Sequence, residues 1–218
     1  MKQISVRRLT TTAILIAISV ILAFLSDALG LRLPFGGSLT LASMLPLVVA
    51  SYLYGVRWGL ATSFVYALLQ MLLLSWHTVS AFFIPGSDSY TALWQALLIC
   101  LIDYVIAYTV IGFSGCVRKM KKKVALPLGA FIGLSLRYLA HIVSGAIFYG
   151  AWAEWFFEEG SELPASFNVF FLENFSGAGL SIAYSVVYNG LYMIPEIVLT
   201  TIVASAIAFL PQISREEA

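Results

Sequence analysis

Charged residues are scarce in this chain of 218 residues. Aspartate, glutamate, lysine and arginine make up 11% of it, hydrophobic residues make up 61%, and the mean hydropathy is +0.93. Soluble proteins carry about 25% charged residues. The shortage of charge therefore excludes an ordinary soluble protein and predicts an integral membrane protein. Prolines and glycines are scattered among long apolar runs, so we expect residues 1–218 to form a single membrane domain.

Cysteines, nucleotide motifs and basic binding patches are also few or absent. Cys100 and Cys116 lie sixteen residues apart in one apolar run, which is neither a metal pattern nor a disulfide framework. The basic residues form short clusters without interleaved aromatics, which argues against nucleic-acid binding. No G-x-x-x-x-G-K-[ST] motif occurs, so this chain is not expected to hydrolyse ATP. We expect no metal and no cofactor.

The apolar runs predict six transmembrane helices, since about 20 apolar residues cross a bilayer. The predicted spans are residues 9–29, 39–54, 59–76, 93–117, 124–153 and 175–210. The second is short. The sixth exceeds the bilayer core, so it must tilt, kink or protrude, and Pro195 offers a site for a kink.

Lysine and arginine predict the orientation, because basic residues are retained on the cytoplasmic side. With the N-terminus inside, the cytoplasmic segments hold Lys2, Arg7, Arg8, Arg57, the run RKMKKK at 118–123 and Arg215. The external segments hold only Arg32, and residues 154–173 contain five acidic residues and no basic one. The sequence therefore predicts a multi-pass plasma-membrane protein, in contact with lipid, whose two termini are cytoplasmic.

Four ionisable residues lie well inside the predicted spans, at Asp103, Arg137, His141 and Glu196, and Asp27 lies near the outer end of the first span. Such residues are costly in a bilayer and usually mark function. Arg137 and His141 are four residues apart, so they share a helical face. Asp103 reaches a similar depth on the preceding helix, which makes an ion pair with Arg137 feasible. The pair could be purely structural. Glu196 is unassigned: it could partner Arg137 or face water in a kink beside Pro195.

Tyrosines crowd the same three helices, at Tyr104, Tyr108, Tyr138, Tyr149, Tyr184, Tyr188 and Tyr192, together with Asn189. Aromatic rings with one acid, one base and one imidazole suit a small, partly cationic heteroaromatic ligand. Tyrosines at helical spacing are also common as packing or interface residues. The neighbouring charges favour the ligand site.

Four stretches carry a resemblance to a known family: GGSLTLASMLPL at 36–47, DYVIAYTVIGFSGC at 103–116, LRYLAHIVSGAIFYG at 136–150 and YSVVYNGLYMIP at 184–195. In order and over nearly the whole chain, they resemble the thiamine-specific S component of energy-coupling-factor (ECF) transporters, the ThiT or YuaJ type. The resemblance implies a membrane subunit of S-component fold that captures thiamine from outside. Its pocket would lie between the fourth, fifth and sixth helices, under the loop at 31–38.

The resemblance also assigns roles by position. Asp103 stands where the family places an acid facing the cationic thiazolium and aminopyrimidine, and Tyr104 follows as a contact. Arg137 stands near the hydroxyethyl end, and His141 and Tyr149 stand at ring-stacking positions. Tyr184 and Asn189 match the pair that reads the aminopyrimidine. The family member compared most closely has glutamate, lysine and tryptophan at the positions of Asp103, Arg137 and Tyr149.

Ala13 and Ala17 on the first helix match the small-residue surface with which S components are thought to dock on the coupling subunit. An alanine pair at i,i+4 forms a shallow groove that lets helices approach closely. Ordinary packing or lipid contact would explain the pair equally well from the sequence alone. The resemblance implies docking to a coupling module that contains a transmembrane subunit and two ATPases.

Three other functions remain open at this stage. The GFSG at 112–115 copies the G-x-S-G of rhomboid-type serine proteases, but about 20 Å of axial offset separates Ser114 from His141. An S component for another heteroaromatic vitamin or a thiamine precursor would need similar residues. A proton-coupled carrier could use Asp103 and His141 as a relay, although no inverted repeat is visible.

Overall fold

A computed structural model describes residues 5–30, 39–161 and 163–213, and all regular elements in these ranges are helical. The bundle consists of six apolar helices: α1 Val6–Ala28, α2 Leu45–Tyr54, α3 Val56–Leu74, α4 Leu93–Val117, α5 Lys122–Phe148 and α6 Gly177–Ile207. Short helices at Trp76–Ala81 and Ala165–Asn174 and helical turns within 150–160 lie between them. The fold is the all-α membrane bundle that the sequence predicts.

Five helices of the described chain are long and apolar enough to cross a membrane, and α2 is the shorter sixth. Their outer faces carry large exposed apolar side chains, such as Ile14 and Phe24 on α1 and Ile202 on α6. In a bilayer these side chains meet lipid. The longest helix, α6, contains Pro195 and has 31 residues, or about 46 Å of axis. It is therefore longer than the ~30 Å hydrocarbon core.

The second helix differs from its predicted span of 39–54. Residues 39–44 form a buried turn, and α2 begins at Leu45 with Pro46 in its first turn. Ala42 has φ 53°, which a continuous right-handed helix cannot accommodate. Non-helical backbone at membrane depth must be satisfied by protein. Accordingly, Ala42 N donates to Thr40 O, and Thr40 N donates to the Glu196 carboxylate.

The fourth helix changes its winding along its length. Leu93–Ile99 is α-helical, Cys100–Ile106 is a π-helix, and Val110–Val117 is a 3₁₀-helix. A π segment is wider than an α-helix and a 3₁₀ segment is narrower. The wide part carries Asp103, and the narrow part carries Gly112 and Gly115, which contact α3 and α2.

Basic side chains gather at one end of the bundle and bind helix ends there. Arg8 and Arg118 donate to the last carbonyls of α2, and Lys122 donates to Leu210 O beyond α6. Lys123 lies 4.4 Å from the centre of the Phe209 ring. The link between α2 and α3, the link between α4 and α5, and the end of α6 thus share one end of the bundle. That this end is cytoplasmic stays a prediction.

Candidate functional site

Asp103 and His141 form the polar centre of the candidate site. Asp103 projects from the π segment of α4, and its Oδ1 lies 3.0 Å from His141 Nδ1 on α5. A carboxylate can only accept a hydrogen bond, so Nδ1 carries the proton of this contact. The other ring nitrogen, Nε2, is buried and has no hydrogen-bond partner among the described residues. The site therefore pairs an acid with an imidazole that has one nitrogen left over for a ligand.

Arg137 lies one turn from His141 on the same face of α5, as the spacing predicts. Its guanidinium donates to Tyr108 Oη at 3.1 Å and lies 4.4 Å from the centre of that ring. Its Nε has no partner within hydrogen-bonding distance among the described residues. The ion pair with Asp103, which the depths of the two residues made feasible, does not form, because His141 takes the carboxylate instead.

Aromatic rings surround the Asp103–His141 pair on the side of α6. Tyr184 and Tyr188 are stacked with centroids 5.7 Å apart, and Phe156 packs edge-on against both rings. Tyr192, one turn further, makes an edge contact with His141 at 6.0 Å. Rings in this arrangement present both faces and edges to a flat ligand.

Tyr104 and Tyr149 close the opposite side of the site. Both pack against a small apolar cluster around Phe82 and Ile99. Tyr149 lies just beyond the end of α5, where burial, followed by the charge of Asp103, raises the pKa of its phenol. The phenol is therefore neutral at physiological pH and can both donate and accept a hydrogen bond.

Asn189 faces α5, whereas Tyr184 faces the aromatic cluster. The Asn189 side-chain amide donates to Ser185 O and to His141 O, and its Oδ1 accepts from Tyr192 Oη at 2.6 Å. Gly145 makes this contact possible, because a Cβ there would collide with Ser185 Oγ and lie 3.1 Å from Asn189 Nδ2. The two residues lie on different faces of α6, as a separation of five residues requires, and Tyr188 and Tyr192 lie between them.

Some residues near the site were not singled out from the sequence. On α3, Tyr66 contacts the Tyr108 ring at 5.7 Å and donates to Gln70 Oε1, and the Gln70 amide donates to Ser75. Phe156, on the helical turns that follow α5, was also not singled out from the sequence. The i,i+4 spacing of Tyr66 and Gln70 on an apolar helix was the available signal. Tyr138, in contrast, lies at the contact of α5 and α6 and donates to Val186 O.

The described residues contain no group of three or more histidine, cysteine or acidic side chains that could hold a metal ion. Ser114 of the GFSG stretch is buried against α5, where a Cβ on Gly129 would lie 2.5 Å from its carbonyl oxygen. His141 is twelve residues beyond Gly129, about 18 Å along α5. A serine nucleophile and its base must come within about 3.2 Å. This geometry excludes a Ser114–His141 dyad.

Ala13 and Ala17 lie on the exposed face of α1, away from the polar site. They line a shallow apolar groove of about 460 Å³ together with Val20, Val65 and Leu69, where α1 passes α3. The alanines therefore remain accessible from the membrane. The segment at 31–38, which was expected to cover the pocket, lies outside the described residues.

Comparison with known proteins identifies the family. A profile of the thiamine transporter protein family (Thia_YuaJ) matches residues 9–155. The thiamine transporter ThiT of Bacillus subtilis (strain 168) is 31% identical over 210 residues, which cover 90% of this chain and 87% of that protein. The chain belongs to the thiamine transporter family. Members of this family are transport proteins and not enzymes, in agreement with the position of Ser114.

The fold agrees with this membership of the thiamine transporter family. The solved structure of ThiT from Listeria monocytogenes matches with a TM-score of 0.62, over 94% of this chain and 96% of that one, at 22% identity. At this identity the match shows the shared fold alone. The family and the membrane-length helices together make this a multi-pass protein of the plasma membrane.

Proposed function

We propose that this protein is the substrate-binding membrane subunit of a vitamin importer and captures thiamine from outside the cell. The observation that carries the proposal is the Asp103–His141 pair, which is partly buried beside stacked tyrosines where α4, α5 and α6 meet. Thiamine is a flat, monocationic pair of heteroaromatic rings. A carboxylate favours its positive charge, and aromatic faces bind cationic rings by stacking and cation–π attraction.

The proposed contacts are those that the resemblance to the thiamine S components implies for each position. Asp103 would face the thiazolium and aminopyrimidine, with Tyr104 beside it, and His141 and Tyr149 would stack on the rings. Tyr184 and Asn189 would read the aminopyrimidine. Asn189 Oδ1 already accepts from Tyr192, so a ligand donor would use its second lone pair or replace that bond. Arg137 would lie near the hydroxyethyl end, deeper along α5.

Import requires energy from elsewhere, because the sequence has no ATP-binding motif. We propose that α1 docks on the transmembrane subunit of an ECF coupling module, whose two ATPases drive release to the cytoplasm. The exposed Ala13 and Ala17 support this, since small residues let a partner helix approach closely. Thiamine would be bound and released without chemical change.

Isothermal titration of the purified protein with thiamine tests the proposal directly. We expect tight one-to-one binding without nucleotide, together with quenching of tryptophan fluorescence. Oxythiamine, which replaces the amino group of the pyrimidine, and the isolated pyrimidine and thiazole precursors serve as competing ligands. Absence of thiamine binding, or tighter binding of a precursor, would contradict the assignment.

A further inference from the structure

Glu196 is a buried carboxylate for which the proposed thiamine contacts have no use. It lies on α6 and is 1% exposed. Its Oε2 accepts from Thr40 N at 2.8 Å and from Thr40 Oγ1 at 2.7 Å, and its Oε1 accepts from Thr200 Oγ1. Ser43 donates to Thr40 Oγ1, which directs the Thr40 proton toward Glu196. Hydrogen bonds donated to a carboxylate favour its charged form.

The register of α5 and α6 brings Glu196 to the level of Arg137. The two helices run in opposite directions and touch where the His141 ring meets Tyr192. Arg137 is one turn before His141, and Glu196 is one turn after Tyr192. Because the two helices are antiparallel, a step back along α5 and a step forward along α6 lead in the same direction. Arg137 and Glu196 therefore lie on the same side of the His141–Tyr192 contact, each one turn from it.

Arg137 contacts a neutral phenol and lies at the level of a buried carboxylate. Its guanidinium donates to Tyr108 Oη, and Asp103 is bonded to His141, so Glu196 is the carboxylate that can act on Arg137 through space. Glu196 and Arg137 are not in direct contact, because the carboxylate oxygens are held by Thr40 and Thr200. Charges separated by several ångströms of protein still interact strongly, because there is little water to screen them.

We propose that Glu196 balances the charge of Arg137 through space and thereby leaves the carboxylate of Asp103 free to select a cationic ligand. Asp103 has His141 as its hydrogen-bonding partner, and its side chain remains partly exposed. Without Glu196, the positive field of Arg137 would offset the negative field of Asp103, and a monocation would lose its advantage over an uncharged molecule of the same shape. Glu196 is thus a positioning residue for charge selectivity, and this role rests on the proposed binding of thiamine.

The decisive measurement compares thiamine with an uncharged isostere in which carbon replaces the thiazolium nitrogen. The two ligands share every other contact, so the ratio of their Kd values isolates the effect of charge. Glu196→Gln keeps the shape and an acceptor for Thr40 but removes the charge. At pH 8, we expect it to weaken thiamine about tenfold and the isostere less than about twofold, as loss of one buried unit charge implies.

Two further variants separate charge from scaffold. Thr200→Val removes a hydrogen bond to the same carboxylate and keeps its charge, so the ratio is expected to stay within about twofold of the wild type. Arg137→Gln combined with Glu196→Gln removes both charges. We expect this double variant to restore the wild-type ratio, whereas Arg137→Gln alone raises the preference for the cation.

The outcomes are distinct. A selective loss in Glu196→Gln that the double variant reverses supports the proposal. Equal losses for both ligands, or no change in the ratio, would overturn it while leaving thiamine binding intact. If Glu196→Gln does not fold, the comparison of Arg137→Gln with the double variant decides, and identical ratios would overturn the proposal. A wild-type protein that binds neither ligand would overturn the proposed function as well.

Discussion

The helices pack through backbone at one end of the bundle and through side chains at the other. At the basic end, α3, α4 and α5 meet at Gly59, Gly112, Gly115, Gly129 and Gly133, with backbone almost directly against backbone. At the other end, side chains make the contacts among α4, α5 and α6, among them tyrosine rings, Asp103 and His141. The glycine contacts at the basic end leave no room for movement, and we call these packed parts of α3, α4 and α5 the frame. The site at the other end is built from side chains that can rotate to accept a ligand.

The winding of α4 differs between the two ends in the same way, with a 3₁₀ segment in the frame and a π segment at the site. In its 3₁₀ part, residues three apart lie on one face, so Gly112 and Gly115 both meet the neighbouring helices. In its π part, the wider turn directs Asp103 toward α5, and π segments are frequent at functional sites. One helix therefore joins the frame to the site.

The largest effect is expected from breaking the frame. Gly112→Ala would place a Cβ against the backbone nitrogen of Leu60, and backbone cannot move aside. We expect a loss of ~3 kcal/mol or more in stability, or no folded protein. Thermal unfolding in detergent, followed by tryptophan fluorescence, measures it. Gly179→Ala is the matched control, because its Cβ would meet only Phe175 at 3.8 Å; an equal loss there would contradict the argument.

Breaking the site is expected to act on binding and spare the fold. Asp103→Asn keeps the shape of the side chain but removes the charge that faces the cation. We expect thiamine to lose about 2–3 kcal/mol, or about a hundredfold in Kd, as when one partner of a buried charge pair is removed. The uncharged isostere serves as the control. Equal losses for the two ligands would show that the carboxylate does not sense the positive ring.

Much of the frame could be predicted from the sequence, because hydropathy alone sets membrane spans. The shared face of Arg137 and His141 also followed from their spacing. The turn at 39–44 did not, since its apolar residues resemble a helix and its backbone is held by the distant Glu196 and Ser26. Nor did the partner of Asp103. His141 and Arg137 lie on one face, and the π turn, which depends on tertiary packing, selects between them.

A glycine at the site sharpens the comparison of the two ends. Gly145→Ala would place its Cβ against Ser185 Oγ and near Asn189 Nδ2, which are side-chain atoms that can rotate. We expect a smaller loss of stability than for Gly112→Ala, about 1–2 kcal/mol. Because Asn189 must shift, thiamine affinity is expected to fall about fivefold. A loss of stability as large as that of Gly112→Ala would contradict the view that this end can adjust.

The smallest effect is expected at Tyr149, on the margin of the site. Tyr149→Trp offers a larger ring, and tryptophan binds cations best among the aromatic residues, so we expect about threefold tighter thiamine binding. Tyr149→Phe keeps the ring area and is expected to change little.

Burial and the charge of Asp103 raise the pKa of Tyr149, so its phenol remains neutral up to the ordinary pKa of a tyrosine. The difference between tyrosine and phenylalanine is therefore expected to stay constant from about pH 7 to 9. A difference that varies over this range would show that the phenol ionises in the site, and weaker binding by the tryptophan variant would show that this margin is as tightly packed as the frame.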